Sequence, residues 1–372
     1  AGVQAYFTRL RETGLYVISA EDEKTSPYYG VPYTSIGKKH ANEVGFFVQD
    51  EWNVTPKLTV VPGIRLDSHS SGEEYSTSVK VSDSAFPSTK FSKTTINPRI
   101  AVKYEVTPSL ILRANIGTGF RAPYGFSEDL HLCSGSPRVW KSSNLKGERA
   151  ISYNLSADYY SKQYQFSINL FRTNLKDKIQ FSPADDEVKK FGYSYQWENV
   201  DDAYVQGVEL GAKASIARNL TAGVNWTFNQ GKFKHERAEW SDPNDESVKE
   251  FPQRLKYAKE SRNISRFPGM TGDFDIDYTP GTWTFSLTGS LQGSMYIDYN
   301  SEDAGQNSKI KKTSTFMLFN CRASKRLGMC TIYAGAKNIF SYIQDEKHTD
   351  DAAFMYAPVY GVTWYVGLSV KL

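Results

Sequence analysis

Apolar and polar residues alternate one by one along much of this chain. In the final thirteen residues Tyr360, Val362, Trp364, Val366, Leu368, Val370 and Leu372 are apolar, while Gly361, Thr363, Tyr365, Gly367, Ser369 and Lys371 are small or polar. Successive side chains of a β-strand point to opposite faces, so this period of two describes a strand with one apolar and one polar face. Thirteen residues at about 3.3 Å each, tilted by roughly 45°, climb about 30 Å, the thickness of a bilayer's hydrocarbon core. Half-buried strands of soluble sandwiches alternate too, but they usually run about five or six residues. The length therefore points to a membrane.

The same pattern recurs in Leu58 to Leu66, in Ile100 to Val106, and, after a turn at Thr107-Pro108-Ser109, in Leu110 to Ile116. It returns in Ile151 to Tyr159, Val208 to Ile216, Ala222 to Phe228 and Phe274 to Tyr278. Alongside the last of these, Asp273, Asp275 and Asp277 share the opposite face, where carboxylates are too costly against lipid and must meet water in a lumen. Connections alternate in length as well. Short ones fall near Asn53 to Lys57, Glu105 to Ser109, Ser161 to Gln165, Ala217 to Asn219, Tyr278 to Thr282 and Ser324 to Gly328. Long ones fall near Leu15 to Glu43, Ser68 to Thr94, Thr118 to Arg149, Asp177 to Asn199, Gln230 to Thr271, Tyr296 to Lys312 and Ser341 to Pro358. Loops of that size gathered at one end are foreign to a compact soluble domain. An outer-membrane barrel, with short periplasmic turns and long outer loops, requires them. The count comes to about fourteen spanning strands of an all-β, antiparallel transmembrane barrel, the last running down to the periplasm.

Composition alters this picture little. Mean hydropathy is −0.50, aromatic residues make up 14% and charged residues 23%. No run of eighteen apolar residues exists, which excludes a transmembrane helix but not a barrel, whose strands turn only alternate residues to lipid. Net charge is +3, from 44 Lys and Arg against 41 Asp and Glu, too balanced for a nucleic-acid surface. Cys133, Cys321 and Cys330 make neither a metal cluster nor a disulfide framework; Cys321 and Cys330 flank a short turn and are read either as one bridge or as two thiols. No GxGxxG, P-loop, HExxH, GxSxG or EF-hand pattern occurs, so neither catalysis nor an intrinsic cofactor is expected. With no initiator Met and no signal peptide at Ala1, something is expected to precede it.

The segment Gly117-Thr118-Gly119-Phe120-Arg121-Ala122-Pro123 resembles the FRAP motif of TonB-dependent outer-membrane receptors. Glu128-Asp129-Leu130-His131 is similar to the segment after that motif in receptors for haem and cobalamin. Ser143-Asn144-Leu145-Lys146-Gly147-Glu148 occupies the place of their NPNL stretch, with Ser142 and Ser143 where Asn and Pro are usual. Further resemblances are Phe47 to Trp52, Asn199-Val200-Asp201 through Val205-Gln206-Gly207-Val208-Glu209, and Lys337-Asn338-Ile339-Phe340. The chain also ends on Leu372 where such barrels usually end in Phe or Trp.

This resemblance implies a 22-stranded barrel filled by an N-terminal plug. Residues 1–372 are then a partial barrel domain, about the last fourteen strands, without the plug. The outer edge of Tyr360 to Leu372 then pairs with a strand outside this sequence; pairing with Gly2 to Leu10 would instead close a fourteen-stranded barrel. The resemblance also implies outer-membrane lipids around the barrel and the TonB complex as energy source, reached through the N-terminal part. The function it implies is active import of a bulky, scarce, metal-bearing nutrient, cobalamin or haem before a ferric siderophore.

His131 stands where haem receptors carry an iron-ligating histidine, and neutral imidazole suits an axial position on iron or cobalt; a loop histidine bonded to its neighbours is the plain alternative. Arg121 either touches ligand or pairs with a loop carboxylate to set the rim. Loop aromatics that would grip a large planar ligand are Tyr28, Tyr29, Tyr33, Trp140, Tyr193, Tyr195, Trp197, Trp240, Tyr296, Tyr299 and Tyr356, set against an interfacial girdle and ordinary loop packing. Arg65, Arg99, Lys103, Arg113 and Glu209 are assigned to the lumen. The charged stretch Lys234 to Glu239, read as part of the longest loop, is either solvated or a dock for a surface lipoprotein. Competing readings are a passive fourteen-stranded channel, a rim protease or lipase, for which no Ser, His and acid order appears around His131, and an adhesin.

Overall fold

A computed structural model describes residues 1–17, 29–80, 86–124, 140–183, 185–189, 195–238, 260–264, 266–296, 312–344 and 356–371. The strands are β1 (Gly2–Val17), β2 (Pro32–Gln49), β3 (Trp52–Thr55), β4 (Leu58–Thr77), β5 (Thr89–Thr107) and β6 (Leu110–Arg121). They continue as β7 (Trp140–Lys141), β8 (Glu148–Tyr160), β9 (Tyr164–Pro183), β10 (Tyr195–Ala217) and β11 (Leu220–Ala238). The last are β12 (Glu260–Asn263), β13 (Met270–Tyr278), β14 (Trp283–Gln292), β15 (Phe316–Leu327), β16 (Cys330–Lys337) and β17 (Thr363–Val370). Leaving aside the short pieces β3, β7 and β12, each long strand pairs antiparallel with the next, from β1 on β2 to β16 on β17. That meander contains the fourteen spanning strands expected. Among the described residues no ladder joins β1 to β17.

One physical demand explains the arrangement. Hydrocarbon offers no partner to a backbone N–H or C=O, so a spanning strand must bond to its neighbours. The pleat then separates two solvents. At mid-height the register places Leu155, Leu170, Val208 and Phe228 in one row across β8, β9, β10 and β11, and this row continues to Met270 of β13. On β17 the outward set Trp364 and Val366 is 75% and 79% exposed, as lipid-facing side chains are when no lipid is present. Arg65, on the opposite face, bonds to Gln4, Glu43 and Asp67. Arg99 meets Gln49, Arg113 meets Asp158, Lys103 meets Glu105, and Asn169 donates to Glu209. The lumen assignment of those charges matches this wall. The aspartate row likewise faces polar partners, Asn225 for Asp273 and Ser286 for Asp277.

Three expectations need correction. The final strand is eight residues, Thr363–Val370, not thirteen, and Tyr360 to Val362 lie outside it. The long connections are shorter than read, because β2 begins at Pro32, β4 reaches Thr77, β5 begins at Thr89, β9 reaches Pro183, and β11 reaches Ala238. Above the lipid both faces of a strand meet polar surroundings, so a stretch such as Ser68-His69-Ser70-Ser71-Gly72-Glu73-Glu74 loses the alternation while keeping its ladder to β2 and β5. Lys234 and His235 accordingly sit in β11 rather than a loop. Of the two readings of Cys321 and Cys330, two thiols is the one the structure bears out: Cys321 pairs with Ala336 and Cys330 with Leu327, well separated along the β15–β16 ladder, and both are free. The turn there is made by Gly328, whose φ of 61° only glycine adopts easily.

Leu170 lies in the apolar row, so Leu170→Arg is expected to destabilise the folded barrel by about 2–4 kcal/mol in reversible denaturant titrations in lipid. An unchanged midpoint would show that this row does not face hydrocarbon.

Candidate functional site

At the long-loop end the chain turns inward after β6 and fastens itself to the lumen wall. Glu73 on β4 is 2% exposed; its carboxylate accepts from Lys141 Nζ at 2.8 Å and from the Tyr75 hydroxyl at 2.7 Å. Lys141 is itself buried. Removing either partner of such a pair costs about 3–5 kcal/mol, so it holds β7 against β4 firmly. β7 also lies parallel to β10, Trp140 opposite Gln196 and Lys141 opposite Trp197, a short parallel bridge that no alternation signals.

Tyr124 follows the FRAP-like stretch and adopts φ 63°, a left-handed conformation uncommon for an aromatic residue. Its burial to 2% exposure compensates. Its hydroxyl donates to Ser142 O at 2.8 Å and accepts from Leu145 N at 3.3 Å, binding the two sides of the 125–139 segment together. Ser71 Oγ donates to Pro123 O. Phe120 packs on His69 and Phe91, with Lys93 Nζ over its ring at 5.4 Å, and approaches Gly147 so closely that a Cβ there would collide with it. Burial pushes the Tyr124 hydroxyl up to about 12; the bond from Leu145 opposes this and the charge of Glu73 adds to it.

Arg121 donates to Ile179 O at 3.1 Å and reaches Glu148 Oε2 at 3.3 Å, while the same Glu148 oxygen accepts from Ile179 N at 3.0 Å. Asn199 accepts from Lys146 N and donates to Lys146 O and Asp177 O. Nearby, burial favours protonating Asp201, but N–H groups of His235 and Asp202 and the His235 ring hold its carboxyl below the ordinary carboxylate value. The FRAP-like, NPNL-like and Asn199 stretches thus meet in one hydrogen-bonded frame across β6, β8, β9 and β10.

The family pattern described as TonB dependent receptor-like, beta-barrel, matches residues 4–339. The chain belongs to this family. Its members are transport receptors rather than enzymes, and they are outer-membrane barrels. The receptor is 26% identical over 203 residues to the vitamin B12 transporter BtuB of Photobacterium profundum, covering 54% of this chain and 27% of that protein. It is 26% identical over 202 residues to the ferric enterobactin receptor of Pseudomonas aeruginosa, covering 49% of this chain and 24% of the relative. Among solved structures, copper transporter OprC superposes with a TM-score of 0.62 at 17% identity, over 91% of this chain and 48% of that one. The ferric yersiniabactin uptake receptor FyuA from Yersinia pestis gives 0.62 at 16%, over 98% and 50%. Such identities establish the shared fold. The receptor chain spans about a quarter of these curated relatives and about half of these structural neighbours.

His131, Tyr28, Tyr299, Tyr193 and Trp240 lie outside the described residues, as does Cys133. Arg121 is placed in the rim frame, with its side chain 47% exposed. Trp140 and Trp197 are half-buried at the β7–β10 bridge, Tyr195 opens β10 opposite Pro183, and Tyr29 is exposed. Tyr33 is buried against Phe86. Tyr356 is buried some way round the sheet, packed with Met295 and Phe316 beside a pocket of about 400 Å³. It is held there by Gln344, whose Oε1 accepts from Tyr356 N and Ala357 N. Asn338, from the stretch before that loop, closes its base through bonds to Tyr342 O and Tyr360 O. The described candidates therefore do not form one group.

Sequence reasoning passed over Glu73, Lys141, Tyr124 and His69, whose Nε2 is buried without a partner among the described residues. Nothing in a polar run marks one carboxylate as buried.

Asn199→Ala should cost the frame about 2–3 kcal/mol, read as faster hydrogen exchange in residues 140–148 with an unchanged barrel; unchanged exchange would remove Asn199 from this role. Since Tyr124 is raised above its ordinary 10 to about 12, the fold prefers the neutral ring, and its contribution is complete below pH 10 and lost as pH rises through about 12. Subtracting the tyrosinate absorbance titration of Tyr124→Phe from that of the parent should leave a single step near pH 12, and a step near 10 would contradict the burial.

Proposed function

We propose that the receptor serves TonB-energised import of a bulky, metal-bearing nutrient across the outer membrane, with a tetrapyrrole, cobalamin or haem, as the favoured cargo. The supporting observation is the rim frame: Tyr124, Lys141, Arg121 and Asn199 fasten both ends of residues 125–139, the segment that contains His131. A segment tethered at both ends loses less freedom on binding, so more of its contact energy becomes affinity. Within this reading His131 supplies the axial imidazole to the metal of the cargo, and Trp140 and Trp197 at the β7–β10 bridge offer it apolar contact area. Similarity to a vitamin B12 transporter fits this cargo.

A ferric siderophore is the second reading, favoured by equal similarity to a ferric enterobactin receptor. There the aromatic group at Tyr356 and Phe316 and the rim cations would carry recognition instead of His131.

Absorbance titration of the full-length receptor with haem, cobalamin and a ferric catecholate separates the two. A Soret or corrin band shift that His131→Ala abolishes is expected; a response to the catecholate alone, undiminished in His131→Ala, would replace the first reading by the second.

A further inference from the structure

On the outward face at the same long-loop end lies a pocket of about 650 Å³ between β6, β8, β9, β10, β11 and β12, lined by Arg149, Arg172, Lys176, Lys234 and Arg262 among others. The face is fixed by register: Arg149 pairs with Lys176, Ile151 with Asn174 and Tyr153 with Arg172, and Ile151 and Tyr153 are exposed apolar residues of the outer surface. Asp202 is the one carboxylate among the described lining residues. It is already engaged by Asp177 N at 3.2 Å and by Lys234 at 4.0 Å.

Two observations point to an anion. Arg149 and Lys176 are like charges placed directly opposite each other on neighbouring strands, an arrangement that destabilises a sheet, and neither has a carboxylate partner among the described residues. Arg172 is oriented yet left charged: it donates to the neutral Asn174 and Gln206 and stacks over Tyr204 at 4.3 Å. Planar guanidinium groups held in this way suit phosphate oxygens.

Height on the wall identifies the source of the phosphate. Leu170, in the lipid-facing row, lies two residues below Arg172 and six below Lys176 on the same face, about 7 and 20 Å along the strand. At a tilt near 45° these are about 5 and 14 Å of height, so Lys176, with Arg149 opposite it, stands where acyl chains end and head groups lie, and Arg172 reaches up to that level from below. We infer that this pocket binds the phosphorylated head group of an outer-leaflet lipid, whose acyl chains continue down over Leu170 and Leu155. The pocket is thus a lipid site continuous with the hydrophobic band and separate from the nutrient path inside.

The test places the full-length receptor in phosphatidylcholine nanodiscs containing a minor fraction of diphosphorylated lipid A and measures retained lipid by native mass spectrometry. The double variant Arg149→Gln with Lys176→Gln should retain about tenfold less, and Lys176→Arg should retain as much as the parent. Should the double variant fail to assemble, Lys176→Gln alone reads the same loss, since the Lys176 side chain makes no described hydrogen bond. Equal retention by Lys176→Gln and parent, equal retention of lipid A stripped of its phosphates, or capture of inorganic phosphate by the detergent-solubilised receptor with no preference for the lipid, would each overturn the assignment. Retention of a surface protein with no phosphorylated lipid would do so as well.

Discussion

Backbone hydrogen bonding in a medium without water is the constraint on which everything else in this receptor rests. Each spanning segment must give its N–H and C=O groups to neighbouring strands. The result, among the described residues, is a continuous series of antiparallel ladders that joins the fourteen long strands in chain order, β3, β7 and β12 aside. Once the backbone is committed in this way, side chains are sorted by the pleat. Leucine, valine and phenylalanine meet lipid in rows such as Leu155 to Phe228, while the other face carries Arg65, Arg113 and Glu209 with their polar partners.

Above the hydrocarbon the same ladders continue under a weaker demand. There water and loop segments can satisfy the sheet on both faces, and strands of up to 23 residues rise well past the roughly 9–11 that cross a bilayer. Their upper portions become a scaffold. On the inside, Glu73 takes Lys141, Tyr124 joins Ser142 to Leu145, and Arg121 and Asn199 tie β6, β8, β9 and β10 into one frame. Each interaction is modest, but they share residues and act on the two ends of a single segment.

On the outside, β8, β9, β10 and β11 carry a different chemistry at the same height. Arg149 and Lys176 stand well above the lipid-facing row, Arg172 reaches up toward them, and Asp202 is occupied by its neighbours. One set of strands therefore meets three environments: acyl chains at mid-height, a polar lumen within, and a charged zone at the surface. Pleat and height decide which side chain meets which.

How much of this the sequence alone determined depends on where along each strand one looks. Between Leu58 and Leu66, Ile151 and Tyr159, or Thr363 and Val370 the two faces see oil and water, so the residue types must alternate, and barrel class, strand number and lumen charges are all written in that period. Motif order likewise made the family legible. Beyond the lipid both faces become polar, the period vanishes, and the upper ends of β2, β4, β9 and β11 read as loop. Tertiary structure alone decided that Glu73 is buried, that β7 runs parallel to β10, that Arg121 and Asn199 join stretches distant in sequence, and that Cys321 and Cys330 are out of register. Those outcomes depend on which strands are neighbours and in what register. A local pattern of hydrophobicity carries information about a residue's solvent, not about the distant residue set beside it.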